Sequence, residues 1–389
     1  MSDFFPSFQA YIAQHHPLFL EGFQTLSPFL ASPEVVRVSA SLKPDIQALI
    51  ETLLTARKDR LYRSQIEEKM EIQAGFQFEE QTSIACFDFY WTPDGLRLIE
   101  VNTNAAAWVL VELLRGYHNL GTPDFSSLYQ VFQREWMHQF PTKPFTHVAI
   151  VDEAPAEQKT RFEFLWIQAL LREKGLTCEV LAPEELCFDT QKQTLVDGQG
   201  AAWPFVYNRF CDFLLQTPAA QALRDAYEAN AICLRPSPHE YAYLSDKSRL
   251  VQWSSPEWQS ALSLPSRTLL RSMIPPVEIM DEAQSERFWA ARKGLFFKPA
   301  ASYGGKSVYS GKRISRSVFL RLVEIQALAQ PLFQPAIWTS KSGETFKYDL
   351  RIYVMGDRVV SAAARLFQGQ VSNFQTPGGG FAPVVFSPS

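Results

Sequence analysis

The stretch DFYWTPDGLRLIEVN, Asp88 to Asn102, decides how this chain is read. Aromatic and β-branched residues flank TPDG, where Pro93 and Gly95 occupy turn positions, so IACFDFYW and LRLIEVN are predicted to pair as a hairpin. Glu100 and Asn102 lie two apart on the second strand and therefore project to one face. If Tyr90 pairs with Leu98, Asp88 stands across from Glu100 and three oxygen-bearing side chains converge. Such a set suits a hard cation such as magnesium, which takes one or two carboxylates and completes its shell with water and phosphate oxygens. A solvated polar face on an edge hairpin is the competing reading of these residues alone.

The rest of the chain narrows the choice. Its 389 residues are 46% hydrophobic and 20% charged, with 37 Lys+Arg against 41 Asp+Glu. That composition buries a large core and excludes a disordered tail or a fibre, while the slightly acidic balance argues against a nucleic-acid binder. The five cysteines are scattered, with no CxxC pair, so neither a disulfide framework nor a structural zinc site is expected. The N-terminus carries an early acid and no basic, apolar leader, and no run of about 18 apolar residues occurs. A cytoplasmic protein without membrane contact is the expectation.

Four regions follow from the punctuation. Residues 1–80 read as a helical region, with apolar residues recurring at three and four (Phe8, Ile12, then Ile46, Ile50, Leu53, Leu54). Residues 81–140 hold the hairpin and a helix-like WVLVELLRGY. Residues 145–235 run strand, helix, strand, hairpin and the strand PFVYNRF, a βαβ-like unit. Residues 236–389 begin with a Pro-punctuated stretch containing SDKSRL and become rich in strands.

Within that last region LFFKPA is a strand ending in Lys298, followed by the loop ASYGGKS, whose Gly304 and Gly305 let backbone N–H groups approach phosphates. Ala300 to Ser307 also fits a permissive P-loop pattern. A P-loop needs a helix directly after its Lys-Ser, and SVYSGKRIS is strand-like, so a lid between two strands is preferred, with Lys306 as a helper to Lys298. Further on, Asp349 and Arg351 share one strand face and Arg365 follows across the MGDR turn. Buried guanidinium groups need carboxylate or phosphate partners, and an internal ion-pair network between Asp349 and Arg351 competes with a ligand role. Asn373 and Gly378-Gly379-Gly380 close the series.

These segments together resemble the ATP-grasp superfamily of carboxylate-amine ligases. DFYWTPDGLRLIEVNTNA is similar to its magnesium segment, in which Asp, Glu and Asn bind two ions bridging the ATP phosphates; the resemblance implies Asp88, Glu100 and Asn102 as metal residues and Asn104 as a substrate contact. YDLRIYVMGDRVVSAAARLFQG, with Asn373 and the glycines, resembles the Asp-x-Arg, Arg, Asn, Gly-Gly series of the glutamate ligases that modify a ribosomal protein. LFFKPA resembles the lysine strand that contacts ATP, and Lys247 of LSDKSRL the earlier ATP lysine. The magnesium segment precedes both lysines, an apparently circularly permuted order that resembles eukaryotic glutathione synthetase and glutathionylspermidine synthetase. PFVYNRF is similar to the Tyr-x-Arg strand of those enzymes, which implies Arg209 as a contact for a substrate carboxylate. One departure matters. Many relatives carry an arginine two residues before the first metal Asp, and here that residue is Cys86.

The resemblance implies an α+β, ATP-grasp fold, two α+β subdomains around ATP, joined to the βαβ domain. It implies ATP and two Mg2+ ions as cofactors, and a small-molecule acid and amine (amino acid, peptide or polyamine) as substrates joined through an acylphosphate. Arg365 or Arg351 would neutralise the transferring phosphate and Ala301 to Lys306 would close as a lid; relatives are often dimers, so a homodimer is one assembly left open. An ATP-grasp phosphotransferase and a non-catalytic nucleotide-binding module are the alternatives.

Overall fold

The computed structural model describes residues 3–72, 83–299, 309–369 and 372–388. The decisive hairpin consists of β2, Ala85–Thr92, and β3, Gly95–Asn102, paired antiparallel around Pro93 and Asp94. Its register departs from the expected one: Thr92 pairs with Gly95, Tyr90 with Arg97 and Phe89 with Leu98. The ladder then slips at Ile99, so that Asp88 nevertheless faces Glu100 and Cys86 faces Asn102. A loop one residue tighter is offset by a bulge one residue wide.

The bulge sets the faces. Before it, Leu96 and Leu98 enter the core; after it, Val101 does so, and Glu100 and Asn102 turn to the other side, half-exposed. Uninterrupted alternation would drive Glu100 and Asn102 in among Phe87 and Phe89, where an unpaired carboxylate is expensive.

The hairpin forms one edge of a seven-stranded sheet with strand order β1-β17-β16-β15-β2-β3, where β1 is Val36–Ser39, β15 Thr345–Met355, β16 Arg358–Phe367 and β17 Gly380–Ser387. A short strand, β14 (Ile337–Thr339), pairs with the beginning of β15. The N-terminal region contains α1 (Phe4–His15), α2 (Leu20–Phe23), α3 (Lys43–Ala56) and α4 (Arg60–Glu67). It is not wholly helical, because β1 runs parallel to β17, with Val36 beside Val384. One sheet face is apolar and carries Phe87, Phe89, Leu350, Ile352 and Leu366 against Ile46, Leu49 and Leu53 of α3. The other face is divided. Cys86, Tyr353, Met355 and Ala363 lie in the cluster that holds α5, Trp108–Tyr117, and the remainder is polar.

A parallel sheet of order β5-β4-β8-β9 follows, made of β4 (His147–Val151), β5 (Thr177–Leu181), β8 (Phe205–Asn208) and β9 (Cys233–Arg235). Helix α7 (Arg161–Glu173) crosses from β4 to β5, and a hairpin of β6 (Leu186–Asp189) and β7 (Thr194–Asp197) precedes β8. The buried Arg235–Glu135 pair, 2.6 Å apart, ties β9 to α6, Ser126–Gln139. The third sheet, order β10-β13-β11-β12, contains β10 (Glu278–Ile279), β11 (Leu295–Lys298), β12 (Tyr309–Ser310) and β13 (Leu328–Pro331). Lys298 ends β11, while Gly304, Gly305, Lys306 and the expected lid lie outside the described residues. Among the described residues no helix is long and apolar enough to cross a membrane.

If Ile99 is the inserted residue, deleting it leaves Leu98, Glu100, Val101 and Asn102 in unbroken alternation on their present faces, so the deletion should cost no more than about 1 kcal/mol. Urea unfolding measures this, and a loss of about 3 kcal/mol or more would show that the faces of the hairpin are set in some other way.

Candidate active site

Alternation along β2, β15 and β16 brings their polar residues onto the open half of the divided face. Asp88 is the lateral neighbour of Arg351, and Asp349 that of Arg365. The side chains follow the register. Arg351 grips Asp88 as a fork, Nε to Oδ1 at 2.9 Å and Nη2 to Oδ2 at 2.7 Å. Arg365 donates from Nη2 to the same Oδ2 at 2.9 Å and from Nε to Asp349 Oδ1 at 2.7 Å. The network anticipated between Asp349 and Arg351 thus takes a different form, because Arg351 reaches sideways to β2 and leaves Asp349 to Arg365.

Asp88 is 0% exposed. Burial alone would raise its carboxyl, but Arg351 and Arg365 overcome that effect and hold it below the ordinary value. Burial pushes Asp349 up to about 6, with Arg365 pulling it down and Asp88 adding to the rise. Its Oδ2 is buried and has no hydrogen-bond partner among the described residues. Tyr90, two residues along β2 from Asp88, feels Asp349 and Arg365 and lies in the same cluster.

The lysines enter from elsewhere. Lys298, 7% exposed at the end of β11, is lowered by burial, raised by Glu100 and lowered again by Lys247 and Arg365. Lys247 precedes the helix Ser248–Ser254; burial lowers it and Glu100 opposes that shift. The end of β3 is fixed beside this segment by Thr103, whose N–H donates to Ser245 Oγ at 2.6 Å. Glu100 is therefore the acid around which both lysines gather.

The donor set can be tested against a magnesium ion. An ionised carboxylate offers about four lone-pair directions. Asp88 already accepts from Arg351 Nε and Nη2, Arg365 Nη2 and the Cys86 thiol, which fill those four directions whichever way the Asn102 amide, 3.3 Å away, is turned. It has none left for a cation. Glu100 and Asn102 are half-exposed, and Asn102 Nδ2 reaches Glu100 Oε1 at 3.2 Å. With the amide turned over, Asn102 presents Oδ1 beside the carboxylate. That pair fits a cation that draws most of its shell from water and phosphate.

No family model and no curated protein matches the sequence. Among solved structures, a glutathione synthetase-like effector from Globodera pallida superposes over 92% of this chain and 90% of its own, with a TM-score of 0.54 at 10% identity. The chain has an ATP-grasp fold. Lower similarity is found to a protein assigned as a gamma-glutamylcysteine synthetase from Methylobacillus flagellatus KT (TM-score 0.47, 14% identity, 89% and 88% covered). The ATP-grasp ligase PsnB, complexed with a precursor variant, Mg and ADP, gives a TM-score of 0.31 at 13% identity over 62% of this chain and 89% of its own.

On this ATP-grasp fold the remaining sequence candidates brace the frame. Arg209, directly after β8 and 5% exposed, donates to Ala105 O at 2.8 Å and Tyr207 Oη at 3.3 Å, and lies 3.8 Å from Glu163. Asn104 Nδ2 donates back to Arg209 O at 2.8 Å. Both are thus turned into the segment that joins β3 to α5. Asn373 organises its own turn, donating to Gln368 O and accepting from Gln375 N and Thr376 Oγ1. Gly380, at φ +97°, would place a Cβ only 2.6 Å from the Leu30 carbonyl carbon, so this glycine serves a close approach to the N-terminal segment.

Sequence reading missed Glu163 and Asp152, which flank Arg209. Only Asp152 carried a signal, an acid immediately after the strand HVAIV. Burial pushes its carboxyl up to about 6 against the pull of Arg209. A raised folded value means that the native state holds this proton more tightly, so the contribution to stability is intact below about pH 4 and is lost as pH rises through 6. Asp152→Asn should therefore gain on wild type between pH 4 and pH 7, by about 3 kcal/mol at most. Urea unfolding at both pH values checks this, and an equal difference at the two contradicts the assignment.

Proposed function

We propose that the protein is an ATP-dependent carboxylate-amine ligase that acts through an acylphosphate. One observation carries the reading: Lys247, which also has Asp246 beside it, and Lys298 both approach Glu100 from separate elements, while Arg351 and Arg365 stand over Asp88 and Asp349 on the same sheet as Glu100. Four cations brought together from four elements suit a polyanionic ligand, and a polyphosphate on the ATP-grasp fold answers that.

In this reading Lys298 and Lys247 bind the phosphates, and Glu100 with Asn102 would hold magnesium. The metal, when bound, supplies charge neutralisation to the phosphate oxygens. Arg351 and Arg365 stabilise the charge that develops as a substrate carboxylate attacks the γ-phosphorus and ADP departs. An amine then attacks the acyl carbon and phosphate leaves, giving an amide. The chemistry needs orientation and preorganised charge rather than a protein nucleophile. It also needs the exclusion of water, because an acylphosphate hydrolyses.

Incubation with ATP and magnesium against pools of amino acids, small peptides and polyamines, following ADP release, tests this. Release should require both an acid and an amine, and Glu100→Gln should cut turnover about 100-fold or more while folding normally. Release with one acid or alcohol alone would indicate a phosphotransferase, and wild-type turnover by Glu100→Gln would sink the metal assignment.

A further inference from the structure

The saturation of Asp88 bears on how the phosphate-neutralising cations are held. Each of its oxygens is engaged by Arg351, and Oδ2 is shared with Arg365. A magnesium ion bound at about 2.1 Å from either oxygen would sit against two guanidinium groups already within 3 Å of the same carboxylate, or would have to displace one and leave it unpaired. The arginines have the opposite character. Their Nη1 groups have no hydrogen-bond partner among the described residues and are absent from the buried unpartnered atoms, so both keep a free edge in contact with solvent.

Position 86 explains why such a device is needed. Cys86 is fully buried and its thiol, pushed well up by burial, stays neutral, so it carries no charge into the site. Its lateral neighbour on β15 is Tyr353, and two residues along the same face is Arg351. The cation of this face stands on the adjacent strand, β15.

We propose that Asp88 is a positioning residue and not a magnesium ligand: it clamps Arg351 and Arg365 with their free edges facing the open side of the site, where they replace the charge that Cys86 lacks. This rests on the ligase reading and assigns the metal to Glu100 and Asn102. Asp88 then affects the reaction only through the two guanidinium groups. Loss of its charge weakens phosphate binding without weakening metal binding.

The probe is Mn2+, titrated by electron paramagnetic resonance into the full chain with ADP. Wild type, Glu100→Gln, Asp88→Asn and the double variant Asp88→Asn/Arg351→Gln are compared. The double variant is neutral at both ends of the clamp and covers the case in which Asp88→Asn alone fails to fold. Glu100→Gln should weaken Mn2+ at least tenfold, whereas the Asp88 variants should stay within twofold of wild type. At saturating Mn2+ the double variant should bind ATP at least fivefold more weakly. A tenfold loss of Mn2+ affinity in the Asp88 variants, or unchanged ATP affinity in the double variant, overturns the proposal and leaves the ligase reading standing. If wild type takes up no Mn2+ with ADP, both fall together.

Discussion

A carboxylate with no exposed surface, set in the interior of a sheet, has to be paired, and the pairing of Asp88 constrains everything around it. Its partners come from β15 and β16, far along the chain, and their side chains are only 8% and 12% exposed. Removing the acid would strand two nearly buried guanidinium groups; removing either arginine would leave the acid with half its compensation. The sheet face is therefore polar as a unit, and the pairing of β2 with β15 is fixed by charge as well as by the apolar residues beneath. A slip of one residue would put Phe87 or Phe89 beside Arg351 and send Asp88 into the α3 side of the core.

The same constraint explains how distant segments form one site. β2 and β3 pair locally, but the strand beside them begins at Thr345, and the far edge is completed by Val36–Ser39 next to the last strand. The parallel sheet between them in sequence is anchored through Arg209, which holds the segment following Asn102 by the carbonyl of Ala105. Thr103 is held in turn by Ser245, two residues before Lys247. The position of Glu100 relative to both lysines is thus set by hydrogen bonds on either side of β3, not by β3 alone. Lys298 arrives on a different sheet, within electrostatic reach of Glu100.

Much of this was legible from local pattern and some of it could not be. The period of two put Glu100 and Asn102 on one face, and a buried strand ending in Lys298 marked a cation with no local partner. Asp88 was placed opposite Glu100 by a register that is wrong at Tyr90 and right at Asp88, because a shorter loop and a bulge cancel. The trace of the bulge was present in Leu98-Ile99, where two consecutive apolar residues interrupt the alternation before Val101 resumes it on the other phase. Val36–Ser39 gave no comparable trace, since a four-residue strand paired in parallel with a partner more than three hundred residues away depends on contacts that the local sequence does not encode. The pattern could say that Arg209 and Arg351 needed partners, but not which ones. Arg209 turned inward to Glu163 and a backbone carbonyl, and Arg351 passed over Asp349 on its own strand in favour of Asp88 across the ladder.

That choice by Arg351 has a geometric basis. Residues two apart on a strand point the same way but stand roughly 6.5–7 Å apart along it, whereas lateral neighbours on adjacent strands are separated by only about 5 Å, so a fork reaches sideways more readily than along its own strand. Two acids and two arginines on three adjacent strands therefore settle into alternation, Asp88 between Arg351 and Arg365, and Arg365 between Asp88 and Asp349. The desolvation of these charges is met once, at folding, and the cations then stand in the fixed positions that the proposed polyphosphate ligand calls for. A free lysine or a mobile arginine would have to be ordered at each binding event. Fixed guanidinium groups with one open edge each are already oriented, which is the condition under which electrostatic stabilisation is strongest.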